Sequence, residues 1–424
     1  MTPEGPKERL QILLSAYACE PGRGSEPGVG WNTALESAKH HDVLVITRAN
    51  NRTVIESWLE HNPVPGLRFA YYDLPKWAMW WKRGGRGVSL YYYLWQIGVY
   101  FVARRLLPTT KVDVIHHATF VKYWVPSFLS LLPRPFVWGP VGGADSTPRG
   151  FWADLSRSGR FYESARWIAQ WIAEHDPFLR LTARRSAIAL ATTEATASRL
   201  KTLGAADVRI LGAISLSQHT LESINAGAQT SPDRQGSLRL ISIGRLQDFK
   251  GFQFALRALA QAVNSDVEYW IVGDGPARRR LEDETSNLGI AERVQFLGQL
   301  TREEVLTKLG HSDVLVHPSL HESGGLVCIE AMAASVPVVC LDLGGPATIV
   351  TAETGIKIGA DNPLQVVQDL TVAISKLDRD RALLSRMATA SQARVEAEYR
   401  WEKKGGELAW LHREAYERMR KTAT

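Results

Sequence analysis

Short apolar runs alternate with helical patterns through the first half of the chain. Each run has the length of a strand, about 4–8 residues, and Asp42–Thr47 is also rich in β-branched side chains. The runs are Leu10–Ala16, Asp42–Thr47, Leu67–Tyr72, Val112–His116, Pro135–Trp138 and Ala187–Thr192. Strands that alternate with helices predict β-α units and a parallel sheet.

The same rhythm begins again after residue 236. The segment 214–236 collects Ser, Asn, Gly, Pro and Asp with poor periodicity, so we interpret it as a linker. The strands predicted beyond it are Leu238–Ile243, Val267–Val272, Val294–Leu297, Val314–His317 and Val336–Leu341. We therefore predict an α/β protein with two Rossmann-like, doubly wound domains facing a central cleft.

The domain boundaries follow from this pattern. We place the first domain at 1–213, the second at 237–398, and a C-terminal helix at 399–424 that packs back toward the first domain. A length of 424 residues favours two domains, because one hydrophobic core rarely grows so large. The composition, 45% hydrophobic and 22% charged, excludes a disordered, collagen-like or coiled-coil chain.

Net charge, cysteine spacing and targeting signals restrict the partners and the cellular location that we expect. The net charge of +6 suits anionic partners without identifying them. The three cysteines have no CxxC spacing, so neither a zinc site nor a disulfide framework is indicated. The first residues lack the apolar core of a signal peptide, and the longest uncharged run, 87–103, falls short of a bilayer span. We expect a cytoplasmic protein, located in part at the inner face of the cytoplasmic membrane.

Tryptophan is distributed unevenly, since 11 of the 14 residues precede residue 172. The stretch 74–112 combines many aromatic residues with seven cations and no acidic residue. Such a composition suits a membrane interface or a lipid acceptor, single-stranded nucleic acid, or a helix whose aromatic residues belong to the core. We expect peripheral membrane contact through 74–112 and no nucleic acid partner. The tryptophans that we expect to be exposed are Trp77, Trp80, Trp81 and Trp95.

Two cations flank a glycine turn at the end of the strand Leu238–Ile243. Arg245 follows Gly244 directly, and Lys250 lies five residues further on, before the next helix. Arg and Lys so placed can neutralise a diphosphate, with Arg making a forked contact and Lys a point contact. The alternative is a pair of solvated surface cations.

The segment 317–333 holds the most informative pattern. Glu322 precedes Gly324 and Gly325, and a helix that contains Glu330 begins there. The first amides of that helix, including Leu326, would form an anion site. Glu330 lies about 8 Å along the helix axis from this site. One phosphate site with carboxylates at two distances suits a nucleotide sugar, while the alternative is a capping Glu and a surface Glu.

These motifs occur in a known order. Gly244-Arg245 with Lys250-Gly251, Gly273-Asp274-Gly275, Val294–Gly298 and Glu322-x7-Glu330 together resemble the donor domain of a retaining glycosyltransferase of family 4, with the GT-B fold. The resemblance covers 239–359, and finer features resemble the subgroup involved in bacterial surface-polysaccharide assembly. The family often has an aromatic residue where this chain has Gly324, so the sugar pocket is expected to differ.

The resemblance implies roles for individual residues. Arg245 and Lys250 would bind the donor diphosphate, Glu322 the donor sugar and Glu330 the ribose. Catalytic roles are implied for His117, Glu322, Arg245 and Lys250. The donor-binding residues implied are Arg245, Lys250, Gly273, Leu297, Glu322, Gly324, Gly325, Leu326 and Glu330. The donor would be a UDP or GDP sugar, with no metal and no other cofactor.

The first half supplies candidates of its own. The loop 18–31 after the first strand, with Ser25, Glu26, Gly28 and Gly30, would approach the donor phosphate and the acceptor. Gly142 and Gly143 follow another strand and could line the acceptor side. Family members often carry a His near the donor sugar after the strand that matches 113–116. We favour His117 because alternation along a strand points it away from His116.

The reaction expected is transfer of a sugar to an acceptor hydroxyl, on a free sugar or a lipid-linked one, with the anomeric configuration retained. The leaving diphosphate would be stabilised electrostatically. Two other functions remain open: a nucleotide-sugar epimerase on the same fold, or an inactive membrane-associated subunit that only binds nucleotide.

Overall fold

The computed structural model describes residues 8–79, 87–119, 122–229, 236–262 and 266–423. The chain divides into two compact units. The first comprises Met1–Ala144, Ile168–Ala213 and Trp401–Thr424, and the second comprises Asp145–Trp167 and Ile214–Arg400.

In the described part of the first unit, seven strands form one parallel sheet. They are β1 (Gln11–Ala16), β2 (Asp42–Thr47), β3 (Leu67–Tyr71), β4 (Val114–Thr119), β5 (Phe136–Val141), β6 (Ile188–Ala191) and β7 (Val208–Ile210). Their order across the sheet is β3-β2-β1-β4-β5-β6-β7, with parallel pairing throughout. The doubly wound architecture predicted from the apolar runs is thus confirmed, and β7 is an additional edge strand.

Helices surround this sheet. They are α1 (Ser25–His40), α2 (Arg52–His61), α3 (Val88–Leu106), α4 (Arg157–Glu174), α5 (Pro177–Arg185) and α6 (Glu194–Leu203). The boundary between the units falls within α4, after Trp167. No helix in the described part of the chain is long and apolar enough to span a membrane.

Several aromatic side chains of the stretch 74–112 belong to the hydrophobic core rather than to the surface. The side chains of Tyr91, Tyr92 and Trp95 in α3 are fully buried in one hydrophobic cluster of the first unit. The prediction that Trp95 is exposed is therefore wrong. Its ring packs against aromatic neighbours, and its indole N–H donates to the carbonyl of Tyr72 at 2.9 Å. Trp77, by contrast, is 79% exposed, as predicted. Trp80, Trp81, Lys82, Arg83 and Arg86 lie outside the described residues.

The C-terminal helix, α15 (Trp401–Ala423), belongs to the first unit and packs along α1. Three buried histidines lie in this region. His412 Nε2 is 3.0 Å from His116 Nδ1, His116 Nε2 is 2.7 Å from the carbonyl oxygen of Gly139, and the ring of His41 lies 5.6 Å from that of His412. Burial lowers the pKa of His41 and of His116 to about 4, and that of His412 well below its usual value. The three rings are therefore neutral at pH 7.

We expect the stability of the protein to fall as the pH is lowered below 6.5. The unfolded chain binds protons at these histidines from pH 6.5 downward, whereas folded His41 and His116 bind them only near pH 4. Between pH 7 and pH 5, His41 and His116 should each remove roughly 1–2 kcal/mol from the free energy of unfolding. Urea titrations at the two pH values measure this loss.

His116→Gln should reduce the pH dependence of unfolding relative to the wild type, because it removes one of the three buried imidazoles. An equal pH dependence in His116→Gln and the wild type would show that other groups cause the loss.

The second unit contains the second sheet. In its described part six strands occur: β8 (Leu238–Ile243), β9 (Val267–Val272), β10 (Val294–Gly298), β11 (Val314–His317), β12 (Val338–Leu341) and β13 (Gly355–Ile358). Their order is β10-β9-β8-β11-β12-β13, and every pair is parallel. The helices are α7 (Gln218–Gln229), α8 (Phe252–Gln261), α9 (Arg278–Asn287), α10 (Arg302–Gly310), α11 (Leu326–Ala333), α12 (Gly344–Ile349), α13 (Pro363–Arg379) and α14 (Arg381–Glu398).

Helix α7 lies within the segment that we interpreted as a linker from its sequence. Its helical pattern is weak because Leu221 and Ile224 are its only large apolar side chains. Both are buried in a cluster that also contains Leu306 and Leu309 of α10. Tertiary burial, rather than sequence periodicity, therefore accounts for this helix.

Candidate functional site

The carboxyl ends of β8, β9 and β10 lie close together at one edge of the second sheet. The amide of Gly273 donates to the carbonyl of Gly298 at 2.7 Å, and a Cβ at Gly273 would overlap with the carbonyl oxygen of Gly244. Gly273 also has φ +126°, which L side chains rarely adopt. This edge is therefore built from closely packed backbone, where a ligand can approach main-chain atoms.

The turn between β8 and α8 brings Lys250 to the loop after β11. Gly251 caps α8 in the left-handed region, at φ +71°, and a Cβ there would overlap with the carbonyl oxygen of Pro318. Across this contact the ammonium of Lys250 forms an ion pair with the carboxylate of Glu322, 72 residues away in sequence. The two residues that the sequence assigned to one ligand thus meet directly.

The ion pair determines the charge states at this point. Burial alone would raise the pKa of Glu322, but Lys250 outweighs that effect, and the pKa falls to about 2. The buried His317, at the end of β11, has a pKa of about 4, lowered by burial and then by Lys250. At pH 7 the cluster therefore holds one cation, one carboxylate and a neutral imidazole. The Nε2 atom of His317 has no hydrogen-bond partner among the described residues.

The loop that carries Glu322 is fixed by hydrogen bonds on both sides. Gly345 N donates to the carbonyl of Glu322 at 2.6 Å, and Ser319 Oγ donates to the carbonyl of His321 at 3.0 Å. Ser323 Oγ donates to Oδ2 of the buried Asp145 at 2.8 Å. The position of the Glu322 carboxylate is therefore set before any ligand binds, which favours binding by preorganisation.

His321 makes a second pair beside Glu322. Its Nδ1 lies 3.2 Å from Oε1 of Glu163, a buried carboxylate of α4. The imidazole stacks on the ring of Phe249 at 4.1 Å, and Phe249 stacks in turn on Tyr162 at 6.2 Å. Burial would raise the pKa of Glu163, but His321 opposes this, and the pKa is lowered. This arrangement supports the turn that carries Lys250, next to Phe249.

Helix α11 presents its N-terminus at the same loop. Gly325 is its N-cap, and the first helical amides belong to Leu326 and Val327, ahead of Cys328, whose N–H donates to the carbonyl of Gly325. Amides of the first turn and the helix dipole favour an anion at such a position. Arg245 follows Gly244 at the end of β8 and is exposed.

Glu330 lies inside α11 and is 2% exposed. Its Oε1 lies 2.5 Å from a guanidinium nitrogen of Arg302, at the start of α10. Burial raises the pKa of Glu330, and Arg302 opposes that rise. Arg302 therefore offsets part of the cost of burying this carboxylate.

The space beside Gly324 is occupied by a side chain from another segment of the second unit. A Cβ at Gly324 would lie 2.7 Å from Cδ1 of Ile214, so this aliphatic side chain occupies the space into which a larger residue would extend. Leu297, at the end of β10, is half-buried and packs against the cluster that contains Trp270.

The first-unit candidates lie at the ends of β1, β4 and β5. Ser25 and Glu26 begin α1, with Ser25 exposed and Glu26 half-buried. Gly28 and Gly30 are buried in the same helix, which passes close to the loop before it. Gly143 O accepts from Nε2 of Gln170 at 2.9 Å, and Gly142 O accepts from the amide of Tyr123 at 3.0 Å.

Both histidines of β4 are buried on opposite faces of the sheet. His117 Nε2 lies 3.2 Å from the hydroxyl of Tyr92, while His116 contacts His412. Burial lowers the pKa of His117 to about 3, so its imidazole is neutral at pH 7. The alternation that made us favour His117 is present, and its catalytic role stays a prediction.

Sequence reasoning did not identify five residues of the second unit that shape the site: Asp145, Glu163, Ile214, Arg302 and His317. Of these, His317 could have been found, because it directly ends a predicted strand beside the Glu322 motif. The others act through contacts between distant segments, which leave no local pattern. Within the described residues no group of three His, Cys, Asp or Glu side chains is placed to hold a metal ion.

The two parallel sheets with their surrounding helices define a GT-B fold, the fold predicted from the motifs. Residues 228–394, which contain the ion pair and α11, match the family model described as "Glycosyl transferases group 1". Over these residues the second unit is therefore similar to the glycosyl transferases of group 1, in agreement with the resemblance drawn from the motifs.

Similar proteins agree with this assignment. The chain is 38% identical over 131 residues to a D-inositol 3-phosphate glycosyltransferase of Corynebacterium diphtheriae, covering 29% of this chain and 31% of that protein. It is 30% identical over 196 residues to the lipopolysaccharide core biosynthesis glycosyltransferase LpsD of Rhizobium meliloti, covering 45% of this chain and 53% of that protein. The chain thus spans about a third to a half of the length of these curated relatives.

The fold likeness extends over nearly the whole chain. The crystal structure of Anabaena Alr3699/HepE in complex with UDP is similar with a TM-score of 0.60 and 18% sequence identity. The match covers 95% of this chain and 99% of that structure.

Proposed function

We propose that the protein is a retaining glycosyltransferase that moves a sugar from a nucleotide diphosphate sugar to an acceptor hydroxyl. The observation that carries the proposal is the Lys250–Glu322 ion pair at the loop leading into α11, with Glu330 buried in that helix. A cation, helix amides and two carboxylates match the diphosphate, sugar and ribose of one donor molecule.

Without ligand, Lys250 and Glu322 neutralise each other. A bound diphosphate offers Lys250 a second anion, and the donor sugar offers hydroxyl donors to Glu322. Because the pKa of Glu322 is about 2, its carboxylate stays charged and accepts these hydrogen bonds at any physiological pH. Glu330 would accept from the ribose hydroxyls, with Arg302 opposing the rise of its pKa that burial causes.

Charge builds on the leaving diphosphate as the glycosidic bond breaks. Lys250, Arg245 and the first amides of α11 would stabilise that charge, which is an electrostatic role. We propose no glycosyl-enzyme intermediate, no metal and no cofactor, and front-face attack by the acceptor. In the first unit, His117 would assist near the sugar, and the loops with Ser25, Glu26, Gly142 and Gly143 would serve the acceptor and phosphate.

The biological setting belongs to the same proposal. The likeness to LpsD, whose name refers to lipopolysaccharide core biosynthesis, supports a role in bacterial polysaccharide or glycoconjugate biosynthesis. The complex of HepE with UDP supports a UDP or GDP sugar as donor. The acceptor we propose is a sugar or a lipid-linked sugar, used in the cytoplasm at the membrane surface.

A thermal-shift screen with UDP, GDP, ADP and their sugar conjugates should identify the donor. A ligand that binds only the folded protein stabilises it by about 4 kcal/mol at a thousandfold excess over its Kd, which raises the melting temperature. With that donor and an acceptor, NMR of the product should show the retained anomeric configuration. A product with inverted anomeric configuration would contradict retention. An epimerised nucleotide sugar would indicate an epimerase, and nucleotide binding without turnover would indicate an inactive subunit.

A further inference from the structure

Helix α4 turns its polar residues inward. Glu163, Arg166, Gln170 and Glu174 recur at helical spacing along one face, and none of them is exposed. Gln170 Nε2 donates to the carbonyl of Gly143, and the hydroxyl of Tyr123 donates to Oε1 of Glu174 at 2.6 Å. The polar face of this helix is therefore the one that packs against the protein.

The outward face of α4 is apolar. Its large exposed side chains are Phe161, Tyr162, Trp167, Ile168, Trp171 and Ile172. Phe161 is 76% exposed, and Trp171 and Ile172 are 54% and 59% exposed. At about 100° per residue, Phe161, Trp167, Ile168, Trp171 and Ile172 lie on one side of the helix, within an arc of about 140°, whereas Tyr162 lies beyond this arc and stacks on Phe249. A surface helix of a soluble protein normally has the opposite arrangement, with its apolar face toward the core.

The charges around this face have one sign. Between residues 157 and 185, all of them described, the exposed charged side chains are Arg157, Arg160, Arg180, Arg184 and Arg185. The three acidic residues of the segment are Glu163, Glu174 and Asp176, and none of them is exposed. Asp176 accepts instead from the hydroxyl of Tyr93 at 2.9 Å. Arg157 and Arg160 lie in the first turns of α4, and Arg180 Nε donates to the carbonyl of Glu174 at 3.0 Å, so cations lie at both ends of this helix.

We propose that the outward face of α4 binds the surface of an anionic lipid bilayer. Trp, Tyr and Phe rings suit the headgroup depth of a bilayer, and isoleucine side chains suit the boundary with the acyl chains. The arginines can pair with the lipid phosphates. This charge distribution disfavours a second copy as partner. A two-fold pairing through α4 would set the arginines at one end of the helix against those at the other end.

This surface differs from the one that composition alone suggests. In 74–112 the aromatic residues Tyr91, Tyr92 and Trp95 are part of the core, whereas the aromatic residues of α4 face solvent. The inference goes beyond the proposed transfer reaction, because lipid binding can be measured without donor or acceptor.

Flotation of the full chain with lipid vesicles tests the proposal. We expect binding to vesicles of phosphatidylcholine mixed with phosphatidylglycerol, and much weaker binding to phosphatidylcholine alone. Trp167→Ser/Trp171→Ser should lower the partition coefficient about tenfold, because it removes two large rings from the interface. Arg157→Ser/Arg160→Ser should weaken binding about fivefold per arginine and reduce its dependence on salt.

Trp410→Ser is the matched control, because Trp410 is 57% exposed on α15, as exposed as Trp171. It should bind vesicles like the wild type. Should the double tryptophan variant fail to fold, Ile172→Ser repeats the test with a smaller change.

Four results would overturn the proposal. The first two are that the wild type does not float with anionic vesicles, and that the α4 variants bind as well as the wild type. The others are that Trp410→Ser loses as much binding as the α4 variants, and that only Trp77→Ser loses binding, which would place the contact in 74–112. Light scattering provides a fifth: a wild-type oligomer that the α4 variants convert to monomer would identify a second copy as the occupant.

Discussion

Replacing Lys250 with methionine is expected to lower kcat for sugar transfer by about 10- to 100-fold, which corresponds to roughly 1.4–2.7 kcal/mol of transition-state stabilisation. Methionine keeps most of the aliphatic stem but removes the charge that faces Glu322. Because the ammonium would act most strongly on the charge that develops as the diphosphate leaves, kcat should fall more than KM rises. Steady-state kinetics with the donor found by thermal shift measure both constants.

The same substitution should also change the pH dependence of the reaction. Burial raises the pKa of Glu322, and only the charges around it, with Lys250 the largest, hold that pKa near 2. In Lys250→Met this opposition is lost, so Glu322 becomes protonated at a higher pH and can no longer accept from the sugar with both oxygens. The acidic limb of the rate profile should therefore move to higher pH, an effect that a general loss of structure would not produce.

Lys376→Met is a suitable control, because Lys376 is exposed on α13 in the same unit. It should keep the wild-type rate. Full activity in Lys250→Met would show that Lys250 does not contribute to catalysis. An acidic limb at the wild-type pH would show that the ion pair does not set the pKa of Glu322.

Replacing Glu330 with glutamine is expected to weaken donor binding by about 10- to 100-fold. A hydrogen bond to a charged acceptor contributes about 1.5–3 kcal/mol, and the neutral amide has one acceptor oxygen where the carboxylate has two. The effect should appear in the Kd of the free nucleotide as well as in KM, since the ribose is distant from the breaking bond. Isothermal titration calorimetry measures the Kd directly.

Variants of Arg302 test whether this residue acts on the Glu330 carboxylate or only supports the fold. Arg302→Gln removes the guanidinium that opposes the effect of burial on Glu330, so the pKa of Glu330 rises further. Nucleotide affinity should then decrease as the pH falls toward that pKa, while Arg302→Lys, which keeps a cation, should restore the wild-type profile. An unchanged Kd in both Glu330→Gln and Arg302→Gln would show that the ribose binds elsewhere.

The motif residues that the sequence singled out in the second unit lie close together in the structure, and geometry explains why. Glu322, Gly325 and Glu330 lie on one loop and the helix after it, so their spacing follows from the 1.5 Å rise of a helix. Arg245 and Lys250 likewise flank one turn. The predictions for the aromatic residues were less accurate, because burial depends on neighbours: Trp95 is buried and Trp77 is exposed.

The sequence by itself determined the alternation of strands and helices, the two parallel sheets, and the motif residues for which we propose donor binding. These features are local, since periodicity and turn residues act within a few positions. The tertiary structure alone decided which distant groups meet: Lys250 with Glu322, Arg302 with Glu330, Asp145 with Ser323 and Glu163 with His321. It also decided that α4 turns its polar face inward and its aromatic face outward. A sequence records the amphipathic pattern of such a helix, but only packing selects which face meets the protein.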